Sequence, residues 1–314
     1  MLTMVGCAAL AQHPVSSTIT FVVRDDAGQV VTNALADGCF LDVTQSGARD
    51  RFNRVIDKNG CLVAKGSTFV GVYARFTCNG FYPTTVKEMI DYKQYLDRNG
   101  KLLPKRWDLE IPVLLKRIRH QIPMYQQFVV NPHTNMRGGG SKYLLSRSSG
   151  FDLLKGAFLP PYGNGEVADF AFDWKMTIYE TDQDGLALSY GTRCEICLTN
   201  VVDGICRGKP DGSLEDGVGS RFISAYEAPL GGYQSQLSFH RNLRGSKVDS
   251  NDDKHYLYYF RIRTQTNEAG QVTNALYGKI QGRINENFTF YLNPTPNDRN
   301  IEPDLKKNLF PEER

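Results

Sequence analysis

The sequence predicts an all-β protein of two domains, a small N-terminal sandwich followed by a larger antiparallel β-sandwich or jelly-roll. Three observations carry this. Apolar and polar residues alternate with the period of two that a half-buried strand requires, most clearly over residues 168–179. The 17 Phe, 16 Tyr and 29 Gly suit pleated surfaces joined by tight turns. At 314 residues the chain is long enough for two separate cores.

Composition narrows the classes of function. Hydrophobic residues make up 41% and charged residues 23%, an ordinary globular balance. A net charge of +3 supplies no concentrated basic face, so nucleic acid is not an expected partner. No apolar run approaches the roughly 18 residues that read as a membrane-spanning helix.

Residues 1–14 read as the remnant of a signal peptide. The first eleven are apolar and uncharged, and Ala9-Leu10-Ala11 before Gln12 suits a small-x-small cleavage site. Met4-Val5-Gly6-Cys7 also resembles a bacterial lipobox, which would make Cys7 a lipid anchor. Both readings place the protein outside the cytoplasm. Loss of Cys7 leaves Cys39, Cys61, Cys78, Cys194, Cys197 and Cys206, three before residue 151 and three after it, so pairing within each half is incomplete.

The N-terminal domain is expected over 15–124. Residues 18–24 alternate Ile19, Phe21 and Val23 against Thr18, Thr20, Val22 and Arg24, and Asp25-Asp26-Ala27-Gly28 turns the chain. Residues 54–64 read as a hairpin about Asp57-Lys58-Asn59-Gly60, and 68–78 as one long strand. Trp107, Leu109, Ile111, Val113 and Leu115 share a face, and Pro112 places that strand at an edge or a bulge. Within 84–105, Val86, Met89, Ile90 and Leu96 stand at helical spacing, with Asn99-Gly100 as a stop.

The run Phe21-Val22-Val23-Arg24-Asp25-Asp26-Ala27-Gly28, then Ile56-Asp57-Lys58-Asn59-Gly60 and Asn79-Gly80-Phe81-Tyr82, resembles the carboxypeptidase regulatory-like domain. Here Ile56 stands for the usual Thr and Phe81 for the usual Tyr. The resemblance implies an immunoglobulin- or transthyretin-like sandwich acting as a non-catalytic spacer or adhesion module.

A linker is expected over 125–150, including Gly138-Gly139-Gly140; no Gly-Lys-Ser/Thr follows these glycines, so they do not form a P-loop. The C-terminal domain is expected over 151–293. Ala168, Phe170, Phe172, Trp174, Met176 and Ile178 alternate with Asp169, Ala171, Asp173, Lys175, Thr177 and Tyr179, a long strand with one buried face. Further strands are expected over 186–199, 221–227, 233–241, 255–266, 271–284 and 288–293, with a hairpin at Asn267-Glu268-Ala269-Gly270. Residues 294–314, with four prolines, read as a tail laid over the surface. Gly150-Phe151-Asp152-Leu153, Pro161-Tyr162-Gly163-Asn164-Gly165, Val202-Asp203-Gly204-Ile205 and Tyr291-Leu292-Asn293-Pro294 are similar to an uncharacterised exported family of Verrucomicrobia- and Lentisphaerae-type bacteria. That resemblance implies architecture and export without an assigned chemistry.

No residues are expected to be catalytic, to bind a metal or to hold a cofactor. Cys194-x-x-Cys197 falls on a strand, where residues three apart point to opposite faces. Asp182-Gln183-Asp184-Gly185 and Asn251-Asp252-Asp253 lack the spacing of an EF-hand loop and read as turns. The five histidines are isolated from any nucleophile motif. The expected ligand-binding residues are Phe158 and Tyr162 beside Pro160-Pro161, because flat aromatics on a stiff corner can stack on sugar rings, whereas Trp174 belongs to the core by parity. The sequence therefore points to a non-catalytic exported cell-envelope protein in adhesion, assembly or ligand binding, with a glycan or another envelope protein as partner. The alternative is a carbohydrate-active or other hydrolytic enzyme with a cleft in the C-terminal domain.

Overall fold

The computed structural model describes residues 14–42, 47–99, 101, 103, 105–132, 145–183, 187–213, 218–251 and 256–311. The export segment with Cys7, the three glycines at 138–140, and Asp184, Gly185, Asp252 and Asp253 lie outside the described residues.

The protein is all-β. In chain order the first strands are β1 (Val15–Asp25), β2 (Leu35–Leu41), β3 (Ala48–Val55), β4 (Cys61–Thr68), β5 (Gly71–Thr77), β6 (Thr84–Met89) and β7 (Trp107–Leu115). There follow β8 (Ile122–Val130), β9 (Leu145–Asp152), β10 (Ala157–Phe158), β11 (Phe170–Thr181), β12 (Ala187–Leu198) and β13 (Gly204–Arg207). Two short strands, β14 (Gly212–Ser213) and β15 (Val218–Ser220), precede β16 (Gln236–Arg244) and β17 (Lys247–Ser250). The last four are β18 (Leu257–Thr266), β19 (Val272–Gly282), β20 (Asn287–Leu292) and β21 (Pro303–Asn308).

The chain forms two compact units. The first comprises residues up to Arg119 together with Asp211–Ile223. Its two sheets have the orders β4-β1-β7 and β14-β15-β6-β5-β2-β3. Ile19, Phe21 and Val23 from one sheet meet Phe40, Phe52 and Phe76 from the other in a single core. Asp25 closes the first turn: Oδ1 accepts from the N–H groups of Ala27 and Gln29, and Oδ2 takes both arms of Arg117 at 2.7 and 2.9 Å. Burial alone would raise that carboxyl, but the donors prevail and hold it below the ordinary aspartate value.

Several local expectations are corrected here. The turn at Asp57 is tight, with Oδ1 accepting from Asn59 and Cys61, but it joins strands of different sheets rather than a hairpin. The strand expected over 68–78 is split, because the Thr68 hydroxyl receives the N–H groups of Val70 and Gly71 and turns the chain. The helical spacing in 84–105 yields β6 and a four-residue 3-10 turn, Tyr92–Tyr95. Residues 211–223, from the later half of the sequence, add β14 and β15 to the edge at β6. There Phe222 stacks on Tyr82 at 4.9 Å, and the buried Lys116 ammonium lies between the Phe222 ring and Asp211 at 2.8 Å.

The second unit comprises His120–Pro210 and Ser224–Arg314. Its two six-stranded sheets have the orders β10-β9-β11-β12-β16-β17 and β13-β18-β19-β20-β8-β21. Phe151, Phe170, Phe172 and Trp174 of the first meet Phe260, Phe288 and Phe290 of the second, so the sandwich is filled by aromatic rings. Trp174 is 7% exposed, as its parity requires.

Two segments depart from the expected organisation. Part of the 125–150 linker is β8, a strand inside the second sheet. The tail contains β21, which runs parallel to β8. The Asn308 side chain accepts from Gln126 N–H and donates to Gln126 C=O, replacing ladder bonds that the irregular register leaves out. Residues 221–227 are not a strand. Residues 224–228 and 294–301 cover the outer face of the second sheet over Leu257, Tyr259, Tyr277 and Tyr291, which explains why β18 is apolar on both faces. The Asn293 side-chain amide donates to Asp298 and Asn300, so this distinctive stretch is a structural loop.

Gly278 lies directly across from Phe260, whose ring fills the space above it; a Cβ there would overlap that ring and the Tyr291 carbonyl. Gly278→Ala is expected to cost about 1–3 kcal/mol by overpacking. Denaturant unfolding measures this, and an unchanged midpoint would refute the close approach.

Candidate functional site

The corner expected to carry ligand-binding rings divides at its two aromatics. Phe158 is 8% exposed and packs edge-on against Phe151 at 4.8 Å and against Phe172 at 6.0 Å. Its ring faces are committed to the core, so it offers no platform. Tyr162 is 40% exposed, on a turn that follows the cis Pro160–Pro161 bond and is closed by its N–H to Leu159 C=O.

Beside this corner lies a cluster of buried charges. β18 carries a bulge after Ile262, where Arg263 adopts φ +52°. Asp203 holds the bulge open by accepting from the N–H groups of Arg263 and Thr264 at 3.0 and 2.8 Å. The guanidinium of Arg263 then reaches Asp169 at 3.0 Å and Asp152 at 3.1 Å. Asp152 also accepts from the N–H groups of Leu154, Lys155, Glu166 and Val167, and Asp169 from that of Leu153.

Two carboxylates so close invite comparison with the acid and base of a glycosidase. Every oxygen of the pair, however, already accepts a protein hydrogen bond, and both side chains are almost wholly buried. Burial would raise Asp152, but the backbone N–H groups of Val167, Glu166 and Lys155 and the Arg263 charge hold it below the ordinary range. Burial pushes Asp169 up, against the pull of Arg263. The cluster therefore anchors the corner to β18.

The six described cysteines carry free thiols. Cys194 faces the core and Cys197 the opposite side of β12; burial raises Cys197 and Cys206, away from a reactive thiolate. Among the described residues, no group of three or more His, Cys, Asp or Glu is placed to hold a metal, and no helix is long and apolar enough to cross a membrane.

A groove of about 660 Å³ opens instead on the solvent face of the first sheet, lined by Tyr179, Asn242, Arg244, Lys247, Val248 and Asp249. Between Tyr179 and Asn242 lies Gly191, which pairs with Thr177 on one side and Asn242 on the other. With no side chain there, the Tyr179 ring lies across Gly191, its hydroxyl 2.7 Å from where a Cβ would stand, while the Asn242 amide closes in from the other side. A ring resting on a cross-strand glycine is a stable sheet device, and here it leaves Tyr179 51% exposed. The Arg244 guanidinium sits 5.2 Å from the ring centroid. β16 and β17 bring Arg244, Lys247 and Asp249 together through a two-residue turn in which Gly245 supplies φ +59°.

The groove did not emerge from the sequence because β16 was expected to end at 241. The Gly245-Ser246 pair between Leu243 and Val248 is the signal that could have extended it into a hairpin.

No family model matches the chain, and no curated protein does. Among solved structures, 3-chlorocatechol 1,2-dioxygenase from Rhodococcus opacus 1CP is 11% identical over 34% of this chain, with a TM-score of 0.26. The chain spans 61% of the length of that enzyme. The major pilin subunit BcpA of Bacillus cereus is 8% identical, covering 92% of this chain and 69% of its own, with a TM-score of 0.24. A Bacteroides uniformis protein proposed to bind carbohydrate is 10% identical, covering 90% and 98%, with a TM-score of 0.21.

The low-lying carboxyls fix the sign of the acid response. Asp25 and Asp152 favour the folded state while ionised, so their contribution is complete above the ordinary aspartate pKa of about 3.9 and is lost as pH falls through their lower folded values. Asp169 carries the opposite sign, since protonation of a raised group favours the fold. Thermal midpoints are expected to hold down to about pH 5 and to fall steeply below about pH 4. A steep loss already at pH 6 would contradict this assignment.

Proposed function

We propose that the protein is an exported, non-catalytic glycan-binding protein of the cell envelope, and that the sugar is held in the Tyr179 groove. The carrying observation is a half-exposed aromatic ring whose hydroxyl end is seated at Gly191 and which is flanked by planar hydrogen-bonding side chains, Asn242, Arg244 and Asp249. A sugar presents an apolar face to such a ring and hydroxyls to such a rim. The groove volume lies within the range of small-ligand sites.

Other features support the reading. The interior of the second unit is packed with aromatic rings, and the Asp152–Asp169 carboxylate pair is consumed by Arg263. Tyr162 offers a second exposed ring in the same unit. Export rests on residues 1–12, and immobilisation on a surface suits a protein whose role is to hold a ligand.

The test is a glycan array read beside a hydrolase panel, using the full chain. The proposal expects retention of glycan without turnover. Tyr179→Ala should weaken that retention at least roughly tenfold, the scale of losing a central aromatic contact, and Tyr179→Phe should keep most of it. Released sugar products, or equal binding by Tyr179→Ala, would overturn the proposal.

A further inference from the structure

The groove has an unusual distribution of charge. On the solvent face of the first sheet, most basic side chains have an acidic neighbour. Lys175 pairs with Asp173 at 3.2 Å, Arg193 pairs with Glu195, and His240 lies 3.7 Å from Asp249. Arg244 and Lys247 break this pattern. They stand directly opposite each other in the β16–β17 ladder, as Lys175 and Arg193 do in the β11–β12 ladder, but unlike that pair neither has a carboxylate within ion-pair distance among the described residues. Asp249, two residues along the same face, is turned towards His240 and Asn242 instead.

Like charges directly opposite on a sheet are destabilising, and a hairpin end could readily carry Glu or Thr in one of the two places. The pair also sits where its charge reaches a ligand: Arg244 lies over the Tyr179 ring, and both residues line the groove. One end of the groove is therefore positive. The other, at Asn242 and Asp249, offers hydrogen-bond donors and acceptors.

Building on the reading of this groove as a saccharide site, we infer that it selects acidic glycans, with a carboxylate or sulfate substituent held between Arg244 and Lys247 while the sugar ring lies on Tyr179. An anion there relieves the like-charge contact, and its charge-assisted hydrogen bonds are stronger than those of a neutral hydroxyl. Orientation follows as well, since the acidic substituent must point to the Gly245 turn and the remaining hydroxyls to Asn242 and Asp249.

Affinity electrophoresis of the full chain through gels containing polygalacturonate, dextran sulfate or dextran tests this. Polygalacturonate and dextran sulfate separate the carboxylate from the sulfate, and dextran reports neutral sugar. At least one acidic polymer should bind roughly ten- to a hundredfold more tightly than dextran, and that preference should shrink as salt is raised. Arg244→Gln with Lys247→Gln should remove the preference, and Tyr179→Ala should weaken binding even to the acidic polymer. Lys247→Glu separates binding from folding: it places opposite charges across the ladder, so the protein should be at least as stable while losing the acidic polymer. Equal affinity for dextran and the acidic polymers would overturn the acidic selectivity and leave the saccharide reading standing. So would undiminished acidic binding by the Gln pair. Binding of none of the polymers would overturn both.

Discussion

Much of the second unit depends on one arginine in an unfavourable backbone conformation. Arg263 sits at φ +52° inside a bulge of β18, a region that side chains other than glycine, asparagine and aspartate seldom enter. Asp203 makes the conformation tenable by taking the two N–H groups that the bulge withdraws from the ladder. The redirected side chain then binds Asp152 and Asp169, which in turn gather the N–H groups of residues 153–155, 166 and 167. Charges this deeply buried are costly unless they are paired and hydrogen-bonded. Here that demand fixes the corner between β9 and β11 and hence the start of the strand that carries Tyr179.

A second device recurs on both faces of this sandwich, an aromatic ring laid on a cross-strand glycine. Phe260 over Gly278 fills the interior, and Tyr179 over Gly191 stands in solvent. Inside, the ring adds packing that a β-carbon would displace. Outside, the same arrangement holds a flat apolar surface at a fixed height beside Asn242, Arg244 and Asp249. Strands rather than loops present all of these groups, which limits the entropy lost when a ligand is held.

The strands with clean alternation were legible in the sequence. β11 has the expected buried face, and the parity that places Trp174 inside also places Tyr179 outside. Phe158 was misread because a two-residue strand has too little pattern to reveal its direction. β21 and β15 were invisible for a related reason. Pro303-Asp304-Leu305-Lys306-Lys307-Asn308 and Val218-Gly219-Ser220 carry no apolar period, and their pairing is decided by partners more than a hundred residues away. The groove needs three strands at once, and its like-charge pair exists only once the register sets Arg244 opposite Lys247. The assembly of three strands belongs to the ladder rather than to any local stretch of sequence, whereas the like-charge pair follows from the local Gly245-Ser246 turn.

The central claim is that the solvent face of the first sheet of the second unit is where a glycan binds. Hydrogen–deuterium exchange of the full chain, with and without a saturating acidic oligosaccharide, tests it most directly. The account predicts slowed exchange concentrated in Phe170–Thr181 near Tyr179, in Gln236–Arg244 and in Lys247–Ser250. Protection confined to any other part of the chain while the sugar is bound would contradict it.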